Sequence, residues 1–264
     1  MKRILIFLSF SALAFVTFES SSSSLLECPV YDSKTDNNHH RDSDFSDLLG
    51  WGLHFGYTHS AQTVNDPKNI SNHVLRVELR ENDLFRTRTG DFYRAEIYEN
   101  YRAQFGVGIQ YKFKVLIPNE WEFDDVRALI AQWHATPDRH LGEISRSPNL
   151  GIELRNDRFL IRTQTSQLPI NLDNKNGMTR RQLYLSEPIK QNHWYEFDIK
   201  AKWVPSELGY IHIKIDGETV VDYQGPTSYY DCRGPYFKAG IYRDYTPNTF
   251  VIYFDAFSRQ RLDN

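Results

Sequence analysis

The stretch "IQYKFKVLI", Ile109 to Ile117, decides the fold class. Extended chain turns successive side chains to opposite faces, so Ile109, Tyr111, Phe113, Val115 and Ile117 share one face while Gln110, Lys112 and Lys114 share the other. Period two marks a strand with one side in a core and one in water. The pattern recurs along the chain. Leu75, Val77 and Leu79 alternate with Arg76, Glu78 and Arg80, and Tyr195, Phe197, Ile199, Ala201 and Trp203 alternate with Glu196, Asp198, Lys200 and Lys202. Ile211, Ile213 and Ile215 run into Asp216-Gly217, a two-residue hairpin signal, before Thr219 to Val221. Phe250, Ile252, Phe254 and Ala256 close the series. No segment carries a three-turn amphipathic helix, although Asp124 to Ile130 and Met178 to Leu185 have room for short ones. Many strands joined by polar turns predict an all-β sandwich or jelly roll, in which the outer face of one curved sheet forms a groove able to hold a polymer.

The 264 residues suffice for one large β domain, and aromatics make up 14% of them, rich in the Tyr and Phe that favour strands. A net charge of −3 argues against nucleic acid and against a basic membrane-surface protein. At the start, Met1-Lys2-Arg3 supplies positive charge, Ile4 to Phe18 is apolar, and Ser20 to Ser24 suits cleavage, all as in an export signal too short to span a membrane. The expected organisation is a signal peptide over 1–23, a flexible Ser-, Asp-, Asn- and His-rich lead-in over 24–46, and one domain over 47–264, secreted and free of the membrane, with a monomer expected. Cys28 and Cys232 either pair or remain two thiols, and an oxidising compartment favours the bridge. "NLDNKNGMTRR", Asn171 to Arg181, reads as an exposed loop suited to a groove rim.

Three strands carry polar side chains in otherwise apolar surroundings. "FYRAEIYEN" puts Arg94 and Glu96 on one face; "RALIAQWHA" puts Gln132 and His134 together, continuing a face begun by Ala128 and Ile130. "YFKAGIYRD", Tyr236 to Asp244, sends Phe237, Ala239 and Ile241 inward and Tyr236, Lys238, Gly240 and Tyr242 outward. Singly, these pairs are explained by a solvated ion pair, hydrogen-bonded core groups and a lysine guarding a sheet edge. Jointly they fit β-elimination from a uronic-acid polymer. Removing the weakly acidic proton at C5 places negative charge on the adjacent carboxylate, which the Arg94 fork and the Gln132 amide are suited to receive. Imidazole is the natural base near neutral pH, so His134 is assigned that role, and the Tyr242 phenol supplies the proton to the departing 4-oxygen. Where the substrate presents both groups on one side, Tyr242 performs both steps; the sequence leaves this choice open. A glycine at 240 lets a sugar ring approach the strand. The substrate-contact set is completed by Lys238, Glu96, Tyr236 and Arg243, and Trp133 points into the core.

In this order and spacing, "RAE", "QWH" and "YFKAGIY" resemble the jelly-roll polysaccharide lyases from about Gly50 to the chain end. "YFKAGIY" is similar to the alginate lyase pattern; "QWH" and "IKIDGETVVDYQGPT" are closer to the heparin lyase I and glucuronan lyase branch. The resemblance implies a concanavalin-like jelly roll and an eliminative depolymerase that leaves an unsaturated uronate. It carries carboxylate neutralisation onto Gln132 and Arg94, proton transfer onto His134 and Tyr242, and substrate contact onto Lys238. Ile97 and Arg243-Asp244 depart from the alginate-type pattern, which has Leu after Arg-x-Glu and an amide after the Tyr. The mixed signs around the motifs favour a plain glucuronan-like polymer over a highly sulfated one. Alginate, a heparin-type chain, or a non-catalytic lectin-like sandwich are the alternatives, and a hydrolase would need a partner carboxylate for Glu153. No cofactor is expected; the heparin-type branch brings a structural calcium into consideration, without an EF-hand-type loop in the sequence.

Overall fold

The structure is a computed structural model that describes residues 28–29 and 40–263. The expected signal peptide lies outside the described residues. In chain order the strands are β1 (Arg41–Ser43), β2 (Trp51–His54), β3 (Ala61–Asp66), β4 (Asn69–Leu79), β5 (Phe85–Thr87), β6 (Gly90–Phe92), β7 (Arg94–Glu99), β8 (Gly108–Leu116) and β9 (Ala128–Thr136). After a 3₁₀ turn at Arg139–Leu141 come β10 (Leu150–Arg155), β11 (Arg158–Ser166), β12 (Met178–Leu185), β13 (Trp194–Lys202), β14 (Tyr210–Ile215), β15 (Glu218–Gln224), β16 (Arg233–Arg243) and β17 (Phe250–Arg261). An eight-stranded sheet runs β15-β14-β13-β8-β17-β4-β3, with β1 also paired to β17; a seven-stranded sheet runs β12-β11-β10-β9-β16-β7-β2. Their strands pair antiparallel, and β5 with β6 forms a separate hairpin.

The two sheets meet through the faces that the alternation assigns to the core. Rings from opposite sheets interlock: Tyr111 against Trp133 at 5.2 Å, Phe113 against Phe237 at 5.5 Å, Phe159 against Phe197 at 5.4 Å and Phe237 against Phe257 at 4.9 Å. Trp133 and Trp203 are fully buried among them. Truncating such a ring to alanine costs on the order of 3–5 kcal/mol, because the surroundings refill the space only in part.

Several expectations change in the folded chain. Met178 to Leu185 is strand β12, bound edge-on to β11 rather than coiled, and the segment read as a short helix from Asp124 runs instead into β9. Pairing with a neighbouring strand overrides weak local preference in both places. Arg41 to Ser43, within the expected lead-in, pairs with β17. In β17 the alternation breaks at a register shift between Asp255 and Ser258, where Ala256 adopts φ +49° and is exposed, and Phe257 takes the core position instead. Cys28 and Cys232 are both disulfide-bonded. The loop at Asn171 is tied down by its backbone N–H, which donates to Glu143 Oε1 at 2.8 Å, while Asn174 reaches the groove described next.

Candidate active site

The outer face of the seven-stranded sheet carries a cavity of about 520 Å³, walled on one side by Thr87, Thr89 and Phe92 around the β5–β6 hairpin. Strand register lays out its floor. Arg94 stands opposite Tyr242, Tyr242 opposite Leu129, and Leu129 opposite Glu153. In the neighbouring row, Lys238 faces Gln132, which faces Gly151, which faces Arg162. His134 stands opposite Tyr236, their rings 5.3 Å apart.

A β-bulge adjusts the predicted face. The β9–β16 register shifts between Ala239 and Tyr242, and the β9–β10 register shifts between Ile152 and Glu153. One extra residue reverses side-chain parity. Leu129 therefore shares the groove with Gln132 and His134, while Ala128 and Ile130, expected there, join the core. Gly240 sits within this irregularity at φ +139°, and a Cβ added to it would lie 2.2 Å from Ala95 O and 2.7 Å from Glu96 Cα. Its glycine is required by the close approach of β16 to β7 and not, as the sequence suggested, by an approaching sugar.

Glu96 is the hub. It is 2% exposed and receives hydrogen bonds from Lys238 Nζ at 2.6 Å and from Gln132 Nε2, with Arg94 Nε 2.9 Å away. Burial pushes the Glu96 carboxyl up, but Lys238 and Arg94 outweigh it and hold the group at about 2. Burial also lowers the Lys238 ammonium to about 8, against the attraction of Glu96. Two cations surround one carboxylate, so the cluster carries one positive charge in excess. An unpaired buried charge is costly, and an arriving anion relieves that cost. Lys238, expected to contact substrate, is 1% exposed and spends its ammonium on Glu96. Glu96 itself is a supporting group beneath the groove, not a surface for sugar. Arg94 and Gln132 both reach the cavity.

His134 donates from Nδ1 to Ala135 O at 2.7 Å. A carbonyl only accepts, so Nδ1 holds the proton and Nε2 keeps its lone pair. Burial, followed by the nearby Lys238, holds the ring at about 3, keeping it neutral. Tyr242 lies in the cavity wall with the Arg94 guanidinium 4.1 Å and the Arg127 guanidinium 4.8 Å from its ring centroid. Tyr236 stays on the groove face beside His134, stacked under Arg102 at 3.7 Å. Arg243 does not join them. It takes the inward parity of Ile241, is 1% exposed, and donates to Thr246 O at 2.8 Å and Arg80 O at 3.1 Å, so the expected substrate contact is a loop anchor.

Other residues in and beside the groove escaped the sequence reading. His54 on β2 pairs with Glu96 and is held at about 4, by burial and then by Lys238. A single histidine in a four-residue edge strand gives no motif. Arg127, Arg162 and Arg180 line the groove from three separate places in the chain, each an ordinary charge in its own segment. Glu153, weighed only as a hydrolase carboxylate, faces the cavity 3.7 Å from Arg162, and burial raises its carboxyl. Beside the groove, Asp138, Glu143 and Asp231 converge. Arg146 lies 3.0 Å from Glu143 and pairs with Asp231, while backbone N–H groups of Asp138, Cys232 and Thr136 also donate to these carboxylates. That arrangement ties the acids into a hydrogen-bonded structural network.

Solved structures similar to the chain include an endo-β-1,4-glucuronan lyase from the fungus Trichoderma reesei, with TM-score 0.66 and 17% identity over 84% of this chain and 94% of that one. The family 7 alginate lyase A1-II' superposes with TM-score 0.57 and 15% identity, over 82% of this chain and 96% of that one. The alginate lyase AlyC3 gives TM-score 0.51 and 15% identity, over 78% of this chain and 91% of that one. These likenesses establish the jelly-roll fold. A search of curated protein sequences finds no match. The sequence profile described as Polysaccharide lyase matches residues 35–258, and the chain belongs to that family.

Proposed function

We propose that this lyase cleaves a uronate polymer, of glucuronan type, by β-elimination. The observation that carries the reading is the buried cluster of Arg94, Lys238 and Glu96, whose one excess positive charge lies under a groove that Arg94 and Gln132 reach. A uronate carboxylate seated there meets donors already fixed in place, which is how charge developing in the enolate-like state is stabilised without rearrangement. The His134 lone pair at Nε2 accepts the C5 proton, its basicity rising once a bound carboxylate offsets the Lys238 and Arg94 charge that, with burial, holds the ring low. The C5–H electrons form the C4–C5 double bond, the C4–O bond breaks, and the Tyr242 hydroxyl protonates the departing oxygen. Tyr242 serving as both base and acid is the second form of the same scheme, suited to a substrate with both groups on one side.

The glucuronan preference rests on charge pattern. Five arginines line the cavity, but Arg94 is engaged by Glu96, Arg127 by Asp244, Arg146 by Glu143 and Asp231, and Arg162 by Glu153. Lining cations already held by carboxylates suit a chain with one carboxylate per sugar better than a densely sulfated one. The likeness to a fungal glucuronan lyase points the same way. Hydrolysis is disfavoured because Glu153 is the one carboxylate among the described cavity-lining residues, and glycosidases use two. Export belongs to this reading, since a polymer too large to enter a cell is cut outside it.

The test is to incubate the protein separately with glucuronan, alginate and heparin, following ultraviolet absorbance and new reducing ends together. Absorbance growing fastest with glucuronan is expected. Faster growth on alginate or heparin would overturn the substrate assignment, and reducing ends without absorbance would overturn the elimination.

A further inference from the structure

The Tyr242 ring is flanked by two guanidiniums, each held by its own acid. On the inner side, Arg94 is fixed to Glu96, 2.9 Å away. On the outer side, Arg127 NH2 donates to Asp244 Oδ1 at 2.7 Å, and the Asp244 backbone N–H donates back to Arg127 O at 3.0 Å. Arg127 immediately precedes β9 and Asp244 immediately follows β16, so this double link closes the two strand ends beside Tyr242. It does so beside a shift in the β9–β16 register, between Ala239 and Tyr242, on a stretch of β16 whose pairing with β7 stays regular. A bulge re-aims the side chains next to it, and Arg127 stands on the bulged β9 side of the ring while the regular β7 side carries Arg94.

We propose that Arg127, tethered by Asp244, is a positioning residue for the Tyr242 phenol. The inference rests on the proton-transfer role given to Tyr242 above. The guanidinium lies 4.8 Å from the ring centroid, within the range of a cation–π contact, and restricts the ring to poses that keep the stack. It also places positive charge over a ring whose oxygen gains negative charge while its proton is in flight. Neither effect depends on Arg127 touching the sugar. With Asp244 59% and Arg127 30% exposed at the side chain, the pair is a surface ion pair that contributes little to stability, so its loss is readable in turnover rather than in unfolding.

The experiment measures kcat and KM on the uronate polymer that the wild-type protein degrades, with Tyr242→Phe alongside. Arg127→Gln is expected to lower kcat roughly tenfold while KM moves less than about twofold, because the contact matters in the transition state. Asp244→Asn is expected to lower kcat roughly threefold, the cation remaining but losing its tether. Arg127→Lys is expected to recover part of the loss, since an ammonium restores charge without the planar stack. If Tyr242→Phe is inactive and Arg127→Gln turns over like wild type, the positioning role is overturned and the Tyr242 assignment stands. A KM that rises at constant kcat would make Arg127 a substrate contact and overturn the proposal as well. Full activity in Tyr242→Phe would remove both roles together.

Discussion

The outer faces of the two sheets are built from the same residue types at the same period, yet they behave differently. On the eight-stranded sheet, Glu196 stands opposite Lys114, Asp198 opposite Lys112 and Lys200 opposite Gln110, a ladder of complementary groups. Glu196 and Lys200 are exposed, and Lys112 reaches Asp198 at 3.5 Å with 43% of its side chain in water. On the seven-stranded sheet, Arg94, Glu96, Gln132 and Lys238 occupy the equivalent outward positions, but Glu96, Gln132 and Lys238 are at most 2% exposed. Water screens the first set, and each pair there is worth little. The second set is desolvated, so its charges govern one another and any anion that joins them. Outward polarity identifies a sheet face; cations and a carboxylate buried together under a groove mark the candidate site.

Substitution on the two faces tests this contrast. The largest change is expected from Glu96→Ala, which leaves Lys238 and Arg94 buried without their carboxylate and should cost about 3–5 kcal/mol in denaturant unfolding. A loss below about 1 kcal/mol would mean that water reaches the cluster after all. Gly240→Ala comes next. A methyl 2.2 Å from Ala95 O at φ +139° forces β16 away from β7, and about 2–3 kcal/mol of destabilisation is expected by the same measurement.

The pH also separates the faces. His134 and His54 are held at about 3 and about 4 in the folded chain, against an ordinary value of 6.5. Below 6.5 the unfolded chain binds protons that the folded chain refuses, so stability is full above 6.5 and falls as the pH drops towards these lowered values. The melting temperature should decline across this window, and His54→Asn should flatten the decline; an unchanged slope would show that His54 is solvated. The smallest effect is expected on the other sheet, where Lys200→Ala should alter unfolding by less than about 0.5 kcal/mol.

The sequence made the fold legible because alternation is a local signal, and Ile109 to Ile117 or Tyr195 to Trp203 keeps one parity throughout. That Arg94, Gln132, His134 and Tyr242 share one groove was legible for the same reason: each stands near a second polar residue of the same parity. What stayed hidden was where parity breaks. The shifts beside Ile130, Gly240 and Asp255 arise from the pairing of strands remote in sequence, and no local pattern announces them. Lys238 and Arg243 were misplaced because burial separates a cation that meets substrate from one that serves the scaffold, and burial depends on neighbouring loops and strands. Arg127 and Asp244, 117 positions apart, become a pair only once β9 lies beside β16.

The most direct test of the central claim is the mass of the products released from glucuronan. Elimination by Tyr242 and His134 over the buried cationic cluster predicts oligosaccharides whose new non-reducing ends are each one water lighter than hydrolysis would leave, formed by the wild-type protein and not by Tyr242→Phe. Products carrying the full water, or unsaturated ends undiminished in Tyr242→Phe, would contradict it.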